Sequence, residues 1–355
     1  MTNIVFYICF AFFISSCANI IMPSGGEVDK TPPKVISISP ENNSLNFRSK
    51  EVVITFDEYV KINKGSINFF PNIEPAPIIK AEGRSVVIEL TEQLKNNTTY
   101  TINFNNSIVD LNEGNAFNNL KYIFSTGEKI DSCKIIGKII DLKTNIPQSG
   151  ARIGLFENII LSDFDSIIKE SKPDYFVLSN NDGEFSLSNL KNGTYYLYGH
   201  KDLNKNTTYE STEPISIPTQ INLSSVIQKN IYLFTENNIQ KDITLDCLTK
   251  NKKLDSIPTG TLNLIFDEDL VKNKNYIGEL ITNDTTFLCL RVLNSVTKID
   301  SVPTGMYKFK MFEDANKNDY WDSGSIKLLK QPEEILFYED TIFIKEDWEV
   351  DVLIN

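Results

Sequence analysis

The chain has 355 residues with 41% hydrophobic content, 22 Phe and 14 Tyr, enough for two to four domains with real cores and a lean towards strands. Its net charge of −12 argues against nucleic acid and anionic lipid headgroups as direct partners, because the surface repels both. A single histidine, His200, excludes His-based triads and multi-His zinc sites by count.

The chain opens on an apolar run from Ile4 to Ile14. That run is too short to span a bilayer and has the length of a secretory h-region. The sequence Ile14-Ser15-Ser16-Cys17 then resembles the lipobox of bacterial lipoproteins. The resemblance implies that residues 1–16 are a signal peptide and that Cys17 is lipidated as the first mature residue. The n-region, Met1-Thr2-Asn3, departs from the usual pattern by carrying no Lys or Arg. Residues 17–33 read as a tether, loosened by Gly25-Gly26 and stiffened at its end by Pro32-Pro33. Ala18 is not the familiar Asp signal for inner-membrane retention, so the expected address is the outer membrane, on either face.

Residues 34–127 carry short strands separated by Asn, Gly and Pro turns, which predicts a β-sandwich. Tyr100 to Phe104 and Tyr122 to Phe124 alternate and predict one buried face each. Val52 to Phe56 and Val86 to Leu90 read as buried on both sides. The segments "PPKVISISPENNSLNF", "VITFDEYVKI", "LKNNTTYTINFNNSIVDLNEGNAF" and "FSTG" together resemble the bacterial Ig-like domain of surface-layer proteins. The version with the Gly-Gly and Pro-Pro entry is typical of outer-membrane lipoproteins. Fold and location follow from that resemblance, and no catalytic residue does.

Residues 128–213 read as a second sandwich. Ile135 to Ile140 predicts a strand broken by Gly137, and Ala151 to Phe156 alternates. "SNNDGEFSLSNLKNGTYYLYG" supplies two strands joined by tight turns. This pattern resembles the transthyretin-like fold of carboxypeptidase regulatory domains and implies a spacer or interaction module. Asn158 to Lys172 reads as a short helix or a long loop.

Residues 214–355 predict one or two further β-domains. Strands are expected at Ile231 to Thr235, Ile243 to Leu248, Leu262 to Phe266, Thr286 to Val292, Tyr307 to Phe312 and Ile342 to Ile344. "LIFDEDLVKN" at 264–273 echoes "ITFDEYVKIN" at 54–63 and suggests a diverged Ig-like repeat.

The sharpest local signal is an internal repeat, with "GTYYLYGHKDLNKNTTYE" at 193–210 aligning without gaps on "GMYKFKMFEDANKNDYWD" at 305–322. Each copy ends in a loop with oxygen side chains at positions 1, 3, 5 and 9. These are Asp202, Asn204, Asn206 and Glu210, then Asp314, Asn316, Asn318 and Asp322. That is the ligand spacing of a calcium loop, with Glu213 at position 12 of the first copy. Position 6, glycine in an EF-hand, is Thr207 or Asp319, and position 12 of the second copy is Ser325. Plain Asn turns fit the same pattern. Calcium is the one cofactor the sequence suggests.

Asp57-Glu58 at a strand end reads as a solvated exit, since no complementary base can be named. His200 reads as a turn residue. Of the five cysteines, Cys9 lies in the signal and Cys17 at the lipobox. Cys133, Cys247 and Cys289 allow one disulfide, with Cys247–Cys289 favoured, or three buried thiols. Asp-Ser/Thr triplets at Ser166, Ser256, Thr285, Ser301 and Thr341 resemble O-glycosylation acceptors of Gram-negative periplasmic and surface proteins.

The expectation is therefore an all-β lipoprotein of serial sandwiches, Ig-like then transthyretin-like, held to the outer membrane by its lipid. It acts as a non-catalytic scaffold that binds other envelope proteins through sheet edges and end loops. Rival readings are a glycan-binding module using Tyr195, Tyr196, Tyr198 or Trp321, an accessory subunit of an outer-membrane assembly or secretion machine, and a carboxylate-based hydrolase.

Overall fold

A computed structural model describes residues 28–63, 67–90, 94–236, 257–283 and 285–354. The expected signal peptide, Cys17, the strand at Ile243 to Leu248, Cys247 and Ser256 lie outside the described residues. The chain is all-β, in three sheet units that follow one another along the sequence.

The first unit holds β1 (Val35–Ser39), β2 (Glu51–Phe56), β3 (Val60–Ile62), β4 (Asn68–Phe70), β5 (Ile78–Glu82), β6 (Ser85–Glu89), β7 (Thr99–Asn105), β8 (Ile108–Asp110), β9 (Ala116–Phe117) and β10 (Leu120–Ser125). Its sheets run β1-β2-β6-β5, β10-β7-β4 and β3-β8-β9. Period-two burial of Tyr100, Ile102 and Phe104 from β7 meets Val52, Ile54 and Phe56 from β2 in one core. Strand β2 therefore buries alternate residues, not both faces as expected. Strand β6 does bury three in a row, Val86, Val87 and Ile88.

The second unit holds β11 (Cys133–Asp141), β12 (Arg152–Phe156), α1 (Phe164–Glu170), β13 (Tyr175–Leu178), β14 (Glu184–Leu190), β15 (Gly193–His200), β16 (Pro214–Ile215), β17 (Thr219–Leu223), β18 (Val226–Gln228) and β19 (Ile231–Thr235). Strands β16 to β19 join the same sheet as β11 to β15, so the unit runs past the expected boundary at 213 to Thr235. Strand β11 passes unbroken through Gly137. A side chain there would meet the Lys229 carbonyl oxygen at 2.0 Å, so the glycine marks a close backbone approach and not a break.

The third unit holds β20 (Thr259–Phe266), the short turn α2 (Glu268–Val271), β21 (Tyr276–Thr282), β22 (Thr285–Val292), β23 (Val296–Pro303), β24 (Gly305–Glu313), β25 (Ile335–Phe337), β26 (Ile342–Ile344) and β27 (Glu349–Ile354). It repeats most of the pairing of the second unit, although β18 has no counterpart and its strands divide into separate three- and five-stranded sheets. Strand β20 pairs with β23 antiparallel and β27 parallel, as β11 does with β14 and β19. Strand β21 lies between β22 and β24, as β12 lies between β13 and β15. Strand β26 pairs with β24 opposite Tyr307 as β17 pairs with β15 opposite Tyr195. The "LIFDEDLVKN" echo of the first unit dissolves in this light: Asp57 is followed by strand β3, whereas Asp267 caps α2 through the Asp269 N–H.

Candidate functional site

The two acid-Asn loops leave the ends of β15 and β24, and each strand is anchored in the same way. Tyr195 donates its hydroxyl to the Lys191 carbonyl at 2.8 Å and Tyr307 to the Pro303 carbonyl at 2.9 Å. Both rings lie in their cores. Beyond the strands the backbones take one course. Lys205 and Lys317 both have φ of 62°, and Thr207 and Asp319 have 68° and 67°. The left-handed turn of an EF-hand's sixth position is thus kept without its glycine, at a strain cost highest for the β-branched Thr207.

The loops are internally bonded. Asp202 Oδ2 accepts the Thr207 N–H at 2.8 Å, and Asp314 accepts the Asn318 and Asp319 N–H groups at 3.0 Å each. Asn204 and Asn206 turn their amides to Glu210, as Asn316 and Asn318 do to Asp322. A glutamate closes each loop, buried in the first and half-buried in the second. Glu213 accepts from Leu203 N and Glu210 N at 2.8 and 3.2 Å; Glu333 accepts from Ala315 N and Asp322 N at 2.9 Å each. Glu333 therefore does in the second loop what Glu213 does in the first. Sequence spacing pointed to Ser325 and missed it, because the return of the chain is three residues in one copy and eleven in the other.

The loops differ in how completely their carboxylates are used. Asp202 Oδ1 is buried with no hydrogen-bond partner. In the second loop both Asp314 oxygens are bonded, Asp322 faces Lys330 at 3.9 Å, and Arg291 grips Asp319 with two bonds of 2.9 and 2.7 Å. The Arg291 guanidinium beside Asp319 holds its carboxyl below the usual range. Among the described residues no group of three or more His, Cys, Asp or Glu is arranged to hold a metal. A cation here must draw on Asn and carbonyl oxygens as well.

His200 ends β15 and is buried, not a turn residue. Its Nε2 lies 2.9 Å from Glu213 Oε2. Burial pushes the imidazole below its ordinary value, against the pull of Glu213. Asp57 accepts the Lys34 N–H at 2.7 Å and serves the strand exit. Burial, then Asp110 and Asp57, push Glu58 upward.

The two loops meet at the junction between the second and third units. Tyr209 of the first loop donates to Glu236 Oε2 at 2.7 Å, and Ile326 N, just past the second loop, donates to Glu236 Oε1 at 2.6 Å. Around that carboxylate Phe156, Phe164, Tyr198, Phe234 and Ile326 form a core that Trp321 and Leu329 flank. Lys143 sits 5.3 Å over the Trp321 ring, and the indole N–H bonds the Glu333 carbonyl at 2.9 Å. Of the aromatics named for glycan stacking, Tyr195 and Tyr198 are each 2% exposed, and Trp321 is committed to this junction. Ser166, Thr285, Ser301 and Thr341 are all exposed. Cys133 is a buried free thiol. Cys289 is disulfide-bonded; its expected partner, Cys247, lies outside the described residues.

Residues 29–126 match the family model of the bacterial Ig-like domain. That match covers the first unit. No curated protein matches the chain. Among solved structures, the major pilin subunit BcpA of Bacillus cereus is 11% identical, over 57% of this chain and 70% of that one, at a TM-score of 0.21. The minor pilin GBS52 of Streptococcus agalactiae is 14% identical over 62% and 94%, at 0.21. The TIE protein of Bacillus anthracis is 10% identical over 94% and 59%, at 0.20.

Proposed function

We propose that the protein is a non-catalytic scaffold of the cell envelope, held to the outer membrane through a lipidated Cys17, whose serial β-units present surfaces to other envelope proteins. The observation that carries this reading is the junction at Glu236. Tyr209 of the first acid-Asn loop and the Ile326 N–H just past the second both bond Glu236, so each loop is tied into the brace between one unit and the next. Serial β-units braced against one another behind a tether suit a spacer and a docking platform. Cys17→Ser should release the protein from the outer-membrane fraction, because the acyl chains supply the membrane affinity. Crosslinking the wild type in intact envelopes should trap it with protein partners. Membrane retention of the variant after a salt wash would refute the anchor, and an absence of crosslinked partners would refute the scaffold.

The buried, unpartnered Asp202 Oδ1 favours a second element of the reading, a structural calcium ion in the first loop. Asp202, Asn204, Asn206, Glu210 and Glu213 supply oxygens at the spacing a hard cation uses. The fully paired carboxylates of the second loop leave it as a plain brace. Calcium should raise the melting temperature, by mass action worth about 2.7 kcal/mol at a hundred times its dissociation constant. Asp202→Ala should abolish the gain and Asp314→Ala should leave it. Equal melting curves in calcium and in chelator would return the first loop to a plain Asn turn as well.

A further inference from the structure

A cleft of about 500 Å³ opens between the first and second units. Phe70 meets Phe176 edge-on at 5.0 Å and Asn72 N bonds the Asp174 carbonyl at 2.9 Å, so the two units are in direct contact beside it. The first unit contributes Phe69, Ile78 and Ile79 to its wall; the second contributes Ile168 and Phe176. This apolar lining is joined by Arg152, Lys172 and Glu74. On a chain of net charge −12, the cleft thus carries two cations against one carboxylate.

The cations are underused. Arg152 donates from Nη1 to the Thr207 carbonyl at 3.2 Å, while its Nε is buried without a partner. Among the described residues neither Arg152 nor Lys172 forms an ion pair. A guanidinium fork with unspent donors in a walled site matches a carboxylate, which it can grip through two parallel bonds. The face of Phe176 is covered by the Arg152 guanidinium at 5.4 Å, which removes that ring as a platform for a sugar. Isoleucine and phenylalanine side chains instead suit an aliphatic group next to the carboxylate.

We infer that this cleft receives the free carboxyl terminus of a partner polypeptide ending in an apolar residue. Arg152 and Lys172 hold the carboxylate, and the Phe69–Ile78–Ile168 wall takes the last side chain. The inference rests on the scaffold reading and gives it a point of contact. Capture of a chain terminus is a known peptide-recognition mode, and a cleft of this size holds two or three residues.

The test uses the full mature chain and a labelled hexapeptide pool with randomised internal positions and a C-terminal leucine, followed by fluorescence anisotropy. The same pool as C-terminal amides and dodecanoate as competitor complete the set. The free-acid pool should bind, and amidation should weaken it about tenfold or more, the usual scale for losing a charged hydrogen bond. Arg152→Lys should lose about as much, and the exposed Lys172→Gln a few-fold with an unchanged melting temperature. Should Arg152→Lys not fold, amidation and Lys172→Gln still decide. Equal binding of acid and amide pools, no binding of either, or dodecanoate binding in place of the peptides overturns the inference. If the peptides fail while the crosslinked envelope partners persist, the cleft assignment falls and the scaffold reading stands.

Discussion

At the scale of single residues, the His200–Glu213 pair shows how a lone histidine is absorbed into structure. Both side chains are 2% exposed, and Glu213 also holds two backbone N–H groups of the first loop. Burial holds His200 below its ordinary value of 6.5; the Glu213 bond, the Glu213 charge and Asp202 oppose that, and Arg152 adds to it. The unfolded chain therefore takes the proton first. The stability contributed by neutral His200 is complete above about pH 6.5 and is lost as pH falls from there towards the folded value. Glu333, pushed up mainly by burial, works in the opposite sense, so the His200 contribution is read from a variant. His200→Gln keeps a donor for Glu213 and should flatten the stability profile between pH 6.5 and 5, measured by urea midpoints. An unchanged slope would show that other groups set it.

At the scale of elements, close approaches set the second and third units. At Gly137 the Lys229 carbonyl stands 2.0 Å from where a Cβ would be, and at Gly154 the Tyr198 ring stands at 2.4 Å. A ring can tilt away, but a paired backbone moves only with its strand. Gly137→Ala should therefore cost more than Gly154→Ala, with the first at or above the upper end of the roughly 1–3 kcal/mol typical of overpacking. Denaturant midpoints of the two variants check the order. The repeat is best seen at this scale too. Gly193 and Gly305, Tyr195 and Tyr307, and the Asn loops align in sequence, while the strands around them correspond only in pairing.

For the whole molecule, the Glu236 carboxylate is the tie between the second and third units. It satisfies Tyr209 and the Ile326 N–H at once, and charged hydrogen bonds of this kind are worth about 1.5–3 kcal/mol each when one partner is removed. Glu236→Ala should loosen the junction with little change inside either sheet. The expected signs are faster proteolysis between 314 and 334 and a thermal transition that splits in two. A single, unshifted transition would mean that the Trp321, Ile326 and Phe234 packing carries the junction alone.

Much of this molecule was legible in its sequence because its determinants are local. Period-two burial named β7 and β10, the Gly-x-Tyr-to-Asn-loop repeat named the matched loops, and the Ig-like segments of residues 34–127 named the first unit, which the family match over 29–126 bears out. Strands β21, β23 and β27 were not expected; β27 does alternate, with Val350, Val352 and Ile354 facing in, but its place in the sheet is fixed by parallel pairing with β20, some ninety residues away. Glu333, Glu236 and Arg152 were invisible for the same reason. Each is an ordinary charged residue in the sequence and takes its role from groups that only folding brings within 3 Å or so. Local pattern determines which segments are strands and which are turns, because side-chain periodicity and backbone sterics act over a few residues. Where sheets end, which loops meet and which charges are left unpaired in a cleft were decided by tertiary packing, because burial and hydrogen-bond satisfaction depend on contacts made across the whole chain.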